Sequence, residues 1–287
     1  MVWKIGIGFR NKSFDAVVFS DKTWYLLPII VLLMVLNWAV EALKWKILIK
    51  NLKPLRFKEA FAAVLAGVST GIITPNRIGN FIGRTVLLDK EIKIKATLLT
   101  LLANLSQFVV TLFFGCVGLL LLGGTYLQNA QIVLIFVGIF TLGVGLAVYI
   151  NPLLINRRPF NFFFSDKIID GITFISATKI QLKLRIIGLS ALRYLVFVTQ
   201  YVLLLIAFDQ QESILLFYGS IMVVYLLMTL IPSLFFGKLF VREAAALFVL
   251  NQIGIPDAII LITGFLMWLI NIALPSLVGA GVLMSKK

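Results

Sequence analysis

Six polar residues stand at two matching interruptions of apolar stretches: Arg77, Asn80 and Arg84 in the first half, Lys238, Arg242 and Glu243 in the second. Each group follows a helix-breaking proline, Pro75 or Pro232, and a glycine, Gly79 or Gly237, lies five residues before the arginine at Arg84 or Arg242. A guanidinium among apolar helices is costly unless it is paired or wetted, so its presence there calls for a partner. The chemistry these types offer is anion binding, with arginine supplying paired donors for a phosphate or carboxylate. Two readings compete at Arg77 and Arg84, a headgroup site and simple snorkelling to the membrane surface. At Arg242 and Glu243 a substrate role stands beside a purely structural ion pair, and Glu243 could also favour the N-terminus of a half-helix through its dipole.

Other polar residues inside apolar stretches are secondary candidates. Arg193 lies close enough to a helix end to snorkel. Asn104 and Gln107, three apart, either line a cavity or bond a neighbouring helix. Glu41 and Lys44, also three apart, read as a local ion pair on one helix face. Ala63, Gly67 and Gly71 recur every four residues and form a smooth face for close helix packing.

Composition excludes much else. The chain has no His and a single Cys, Cys116, which removes the usual Cys/His zinc sites, His-based nucleophilic catalysis and internal disulfides. No catalytic residue, metal or cofactor is predicted. Of 287 residues, 61% are hydrophobic and 13% charged, a balance that points to lipid as the solvent. The net charge of +14 would suggest nucleic acid in a soluble protein, but the basic residues sit mainly between apolar blocks, where orientation and anionic headgroups account for them. No nucleic-acid partner is expected.

The apolar blocks are long and uninterrupted, so the spans are helices and not barrel strands. Residues 24–43, 96–122, 131–150, 186–208 and 258–285 are each predicted to cross the bilayer. Between the first two, residues 59–74 give roughly 24 Å of helix, short of a hydrocarbon core of about 30 Å. They end at Pro75, and a second short piece runs to Leu88. Residues 213–231, Pro232 and 244–250 repeat this broken pattern. Such units read as re-entrant hairpins, permitted in lipid where protein or water covers the exposed backbone. Residues 123–129 are predicted to form an uncharged turn.

The basic cluster from Lys44 to Lys58 marks that end of the first span as cytoplasmic, and the same rule puts Lys286 and Lys287 inside. Span, hairpin, span over residues 24–122 is then matched in reverse orientation by 186–285, with 123–185 as connector. This is an inverted-topology repeat in an all-α polytopic membrane protein of about five transmembrane helices and two re-entrant broken-helix hairpins. Residues 1–23 form an N-terminal interfacial segment without the apolar core of a signal peptide, and 24–287 form one transmembrane domain. The expected location is the bacterial inner membrane.

Ile73-Thr74-Pro75-Asn76-Arg77-Ile78-Gly79-Asn80 with Arg84, and Ile231-Pro232-Ser233 with Gly237 and Arg242-Glu243, resemble the transmembrane region of lysylphosphatidylglycerol synthases. Ala42-Leu43-Lys44-Trp45 and Ala191-Leu192-Arg193-Tyr194 extend the resemblance. It implies a flippase-like membrane unit, and the expectation is that this chain corresponds to the translocating half of the bifunctional enzymes and not to their aminoacyl-transferase domain. Two departures stand out: Asn80 replaces an acid usual in the family, and Asn104 and Gln107 fall where a charged pair is common. Any proton or cation coupling those acids would carry is therefore not implied here.

The reading is a lipid flippase or transporter moving a (phospho)lipid or related amphiphile whose headgroup is anionic or phosphate-bearing. Arg77, Arg84 and Arg242 would hold the phosphate, with Asn80, Lys238 and Glu243 along the path. Partners would be membrane lipid, a second copy of the chain, or a lipid-synthesising enzyme. The rivals are a membrane-embedded transferase acting on a polyprenyl or glycerophospholipid substrate, for which Glu41 and Glu243 are the available acids, and an assembly factor that transports nothing.

Overall fold

The structure is a computed structural model that describes residues 21–74, 78–86, 88–156, 166–231 and 237–285. Among these, five helices are long and apolar enough to cross a membrane. They are α1 (Thr23–Ile49), α4 (Lys93–Leu122), α5 (Gly124–Ile150), α7 (Ile180–Ala207) and a composite last span. That span consists of α10 (Asp257–Trp268), a π turn (Leu269–Ala273) and α11 (Leu274–Met284). No strand occurs among the described residues. The chain is a multi-pass, all-α membrane protein.

The shorter helices fill the two breaks. In the first half α2 (Phe57–Ile73) turns back into α3 (Gly79–Thr85); in the second α8 (Ile214–Leu230) is followed by α9 (Gly237–Leu250). Pro75, Asn76 and Arg77 and residues 232–236 lie outside the described residues. At the start of α2 the Arg56 backbone N–H donates to Glu59 Oε2 at 2.8 Å, which satisfies one orphan donor of a helix N-terminus. Ser213 does the same for α8, accepting from the Leu216 N–H at 3.2 Å.

Small residues let α2 and α3 lie antiparallel at close range. The Gly79 N–H donates to Thr74 Oγ1 at 2.7 Å, and Thr70 Oγ1 donates back to the Gly79 carbonyl at 2.6 Å. A Cβ at Gly67 would come within 2.6 Å of Asn80 Oδ1, and one at Gly83 within 2.6 Å of the Ala66 carbonyl. The four-residue spacing read as a packing face thus docks the returning half-helix, as small residues do in lipid where backbones must approach to gain contact.

Helix packing follows the repeat. Taking α1 with α7, α2–α3 with α8–α9, and α4 with the last span, each contact has its counterpart: α4 packs along α8, and α11 packs along α2. The pair that maps onto itself, α1 against α7, lies between them. Two apolar cores result, one around Trp45, Val64, Leu99 and Tyr149, the other around Tyr201, Phe217, Leu226 and Ile260. Outside them, α5 exposes Ile132, Phe136, Ile139 and Phe140, a surface suited to acyl chains and not to water.

Several boundaries differ from the sequence reading. The predicted turn at 123–129 shrinks to Gly123, which at φ +64° reverses the chain so that α5 begins at Gly124. Helix α9 starts at Gly237 and not at 244, because the hydrogen-bond ladder continues through charged residues that an apolar run excludes. The connector holds α6 (Asp166–Ser176), which was not anticipated. Helix α7 begins six residues early, at Ile180, and its buried Lys183 donates to the carbonyls of Ile150 at 2.8 Å and Ser176 at 3.3 Å. That lysine caps α5 and α6 at once.

Candidate functional site

Glu41, on α1 and 1% exposed, is the point where the two halves meet in charge. Its carboxylate lies 3.0 Å from Lys44 Nζ, 2.8 Å from Arg84 Nη2 on α3 and 3.4 Å from Arg193 Nη1 on α7. Lys44 and Arg84 are as buried as Glu41, and the Arg193 side chain is 22% exposed. Helix geometry explains Lys44, which stands one turn from Glu41. The arginines arrive through tertiary structure: the hairpin brings Arg84 of α3 to Glu41 of α1, and α7 packs along α1 and brings Arg193.

A polar shell surrounds the cluster. Arg84 Nε donates to Asn80 Oδ1 at 3.0 Å. Lys44 Nζ donates to Ser190 Oγ at 3.2 Å and the Ala103 carbonyl at 3.4 Å, Ser190 and Ser106 share a hydroxyl contact of 2.7 Å, and Gln107 Nε2 reaches the Ser190 carbonyl at 3.4 Å. Two indoles complete it, with Arg84 over the Trp45 ring at 5.9 Å and Arg193 over Trp38 at 5.3 Å, both within cation–π range. Three cations therefore face one carboxylate. Several buried donors here have no hydrogen-bond partner among the described residues: Arg84 Nη1, Arg193 Nε, Trp38 Nε1 and Trp45 Nε1. An excess of buried cations and free donors is the arrangement that accepts an anion.

The matched site in the second half is built differently. On α9 both Nε and Nη2 of Arg242 donate to Glu243 Oε1, the residue next to it in sequence. Glu243 Oε2 is buried and has no hydrogen-bond partner among the described residues, in the space that Gly264 of α10 leaves open. The hydroxyls of Tyr201 and Tyr225 are also buried and have no hydrogen-bond partner among the described residues. Tyr194 stacks on Phe114 at 5.1 Å and meets Tyr225 edge-on at 6.2 Å.

The predicted site residues are thus divided. Asn80, Arg84 and Arg193 come together with Glu41 and Lys44, and Gln107 reaches their shell. Arg242 and Glu243 form a separate pair, and Asn104 is half-buried on α4. Gly79 and Gly237 each begin a half-helix. Arg77, Pro75, Pro232 and the Lys238 side chain lie outside the described residues. Sequence reasoning passed over Ser106, Ser190 and Trp38, met Trp45 only as part of the family resemblance, and paired Glu41 with no cation but Lys44. The usable signal was a carboxylate inside a membrane span whose charge one lysine does not exhaust.

Over residues 2–279 the sequence matches the lysylphosphatidylglycerol synthase transmembrane region family. The chain belongs to that family. No curated protein and no solved structure matches it. Within this transmembrane-region fold, the half-helix that follows the first break delivers Arg84 to the carboxylate of the first span, and Asn80 holds the guanidinium from behind.

Proposed function

We propose that this protein moves a lipid with a phosphate-bearing headgroup across the membrane, as a flippase or transporter and not as an enzyme. The observation that carries the reading is the buried group of Glu41, Lys44, Arg84 and Arg193, where three cations meet one carboxylate and leave guanidinium donors without partners. The group sits where α1, α3, α4 and α7 converge, between the two halves of the repeat, and in inverted-repeat transporters the junction of the halves is where substrate binds and the halves rock. In this mechanism the two hairpins are re-entrant, the headgroup passes through the polar core, and the acyl chains stay in lipid beside the exposed apolar faces. Glu41 holds the cations in place when no headgroup is bound, so the site is not left as bare positive charge.

The test is lipid scrambling in proteoliposomes of the purified chain, with Arg84→Gln beside it. Transport without nucleotide is expected, because the sequence has no Gly-rich Lys-Ser/Thr phosphate loop. Arg84→Gln removes a charge-assisted contact of about 1.5–3 kcal/mol, which corresponds to a fall of roughly tenfold to a hundredfold. Strict dependence on ATP, or full transport by Arg84→Gln, would refute the reading.

A further inference from the structure

The charge balance at the cluster narrows the headgroup. Among the described residues Glu41 answers one of the three cations, and Asn80, the side chain that holds Arg84 Nε, is neutral, so two positive charges remain. Arg242 does not add to them, being paired with Glu243 on α9. The donor balance points the same way. Among the described residues Arg84 Nη1, Arg193 Nε and the indole N–H groups of Trp38 and Trp45 have no hydrogen-bond partner, against two acceptors in the same state, Gln107 Oε1 and Glu41 Oε2, the latter already held in ion pairs, so donors outnumber acceptors. A matching ligand is rich in acceptor oxygens, carries no amine, and brings two negative charges into a site shielded from water.

We infer that the group this cluster takes is a terminal phosphate, the headgroup of a lipid phosphomonoester, in preference to a phosphodiester or an aminoacylated headgroup. The inference rests on the proposal above that the cluster binds a headgroup. A phosphodiester brings one negative charge and two free oxygens, which leaves one buried cation uncompensated. A terminal phosphate brings close to two charges near neutral pH and three free oxygens, enough for both guanidiniums and the ammonium. An aminoacyl headgroup whose amines outnumber its phosphate would add cations to a site already in excess.

Asn80 supplies the decisive variant. Asn80→Asp keeps an acceptor for Arg84 Nε at the same place and adds one negative charge, so the surplus falls to a single charge while the hairpin contacts stay. The experiment is lipid titration of the full chain in detergent, read by native mass spectrometry and by thermal shift. The probes are dioleoyl phosphatidic acid, dioleoyl phosphatidylglycerol, lysylphosphatidylglycerol and soluble glycerol 3-phosphate.

At about pH 8 phosphatidic acid should bind at least about tenfold tighter than phosphatidylglycerol, with lysylphosphatidylglycerol weakest. The preference should shrink toward unity at about pH 5.5, below the second phosphate pKa near 6. It should shrink likewise in Asn80→Asp at about pH 8, with the melting temperature preserved. Equal binding of the two anionic lipids at about pH 8, or tightest binding of lysylphosphatidylglycerol, overturns the terminal-phosphate inference and leaves the headgroup site standing. Glycerol 3-phosphate binding as tightly as phosphatidic acid overturns its lipid source. If Arg84→Gln changes the binding of none of the four probes, the headgroup site itself fails.

Discussion

Arg84 and Arg242 stand at the same distance from the glycines that open their half-helices, yet they end in opposite electrical situations. Arg84 reaches across to Glu41 on another helix and shares that carboxylate with Lys44 and Arg193. Arg242 is neutralised by its own neighbour, Glu243. One helical pattern therefore yields a charged junction between elements in the first half and a self-contained pair in the second. The difference lies in the partner: a shared carboxylate ties three helices together and leaves donors to spare, whereas an adjacent one ties nothing and leaves acceptor capacity on Glu243. The same step from glycine to arginine can thus end in two different charge environments.

The comparison breaks most easily at Glu41. Glu41→Gln leaves the buried Lys44 and Arg84 and the partly exposed Arg193 without a counter-charge, and removing one partner of a buried ion group typically costs about 3–5 kcal/mol. The detergent melting temperature should fall sharply, and adding Arg84→Gln to Glu41→Gln should recover part of the loss, since fewer cations are then left bare. A melting temperature unchanged by Glu41→Gln would show that the carboxylate does not hold the junction.

A smaller effect is expected at the second pair. Arg242→Gln leaves Glu243 with an unpaired carboxylate at a less buried position, a loss of about 2 kcal/mol, and Arg242→Gln with Glu243→Gln should restore most of it. Lipid retention should stay normal in the double variant. Lost retention together with normal stability would give the second half a share in the substrate site and erase the contrast drawn here.

The smallest effects separate the glycines beside the two sites. Gly83→Ala pushes a methyl against the Ala66 carbonyl and other backbone of α2, so α3 must move, at about 1–2 kcal/mol and with Arg84 displaced. Gly264→Ala meets the carboxylate of Glu243, the far end of a flexible side chain, and should cost under about 1 kcal/mol. Unfolding measurements that reverse this order would mean that α3 is not wedged against α2 as described.

The spans and both breaks were legible because solvent alone dictates them. A helix must be apolar for about 20 residues to cross hydrocarbon, and Pro75 and Pro232 cannot continue a backbone ladder. Arg84 was legible for the same reason, as a charge with no business in lipid unless something receives it. What received it was not. Sequence places Lys44 one turn from Glu41, and that proximity hid the fact that α3 and α7 bring two more cations to the same carboxylate. Ser106 and Ser190 were invisible because a serine in a membrane helix gives no sign of the helix it will face. Apolar runs also misplaced the start of α9, since Lys238, Arg242 and Glu243 lower the local hydropathy without weakening the helix they belong to.

The π turn at Leu269–Ala273 acts as a phase slip in the last span. One extra residue in a turn advances everything after it by about 100° around the helix axis. Helix α10 can then offer Gly264 to Glu243 of α9, while α11, on the same continuous rod, turns Gly279 toward the Leu65 carbonyl of α2. Within the slipped turn, Asn271 accepts from Asn37 of α1 at 3.4 Å. A single crossing thereby serves both halves of the repeat, and deleting one residue there would rotate Gly279 off α2 and force a bulkier neighbour into its seat.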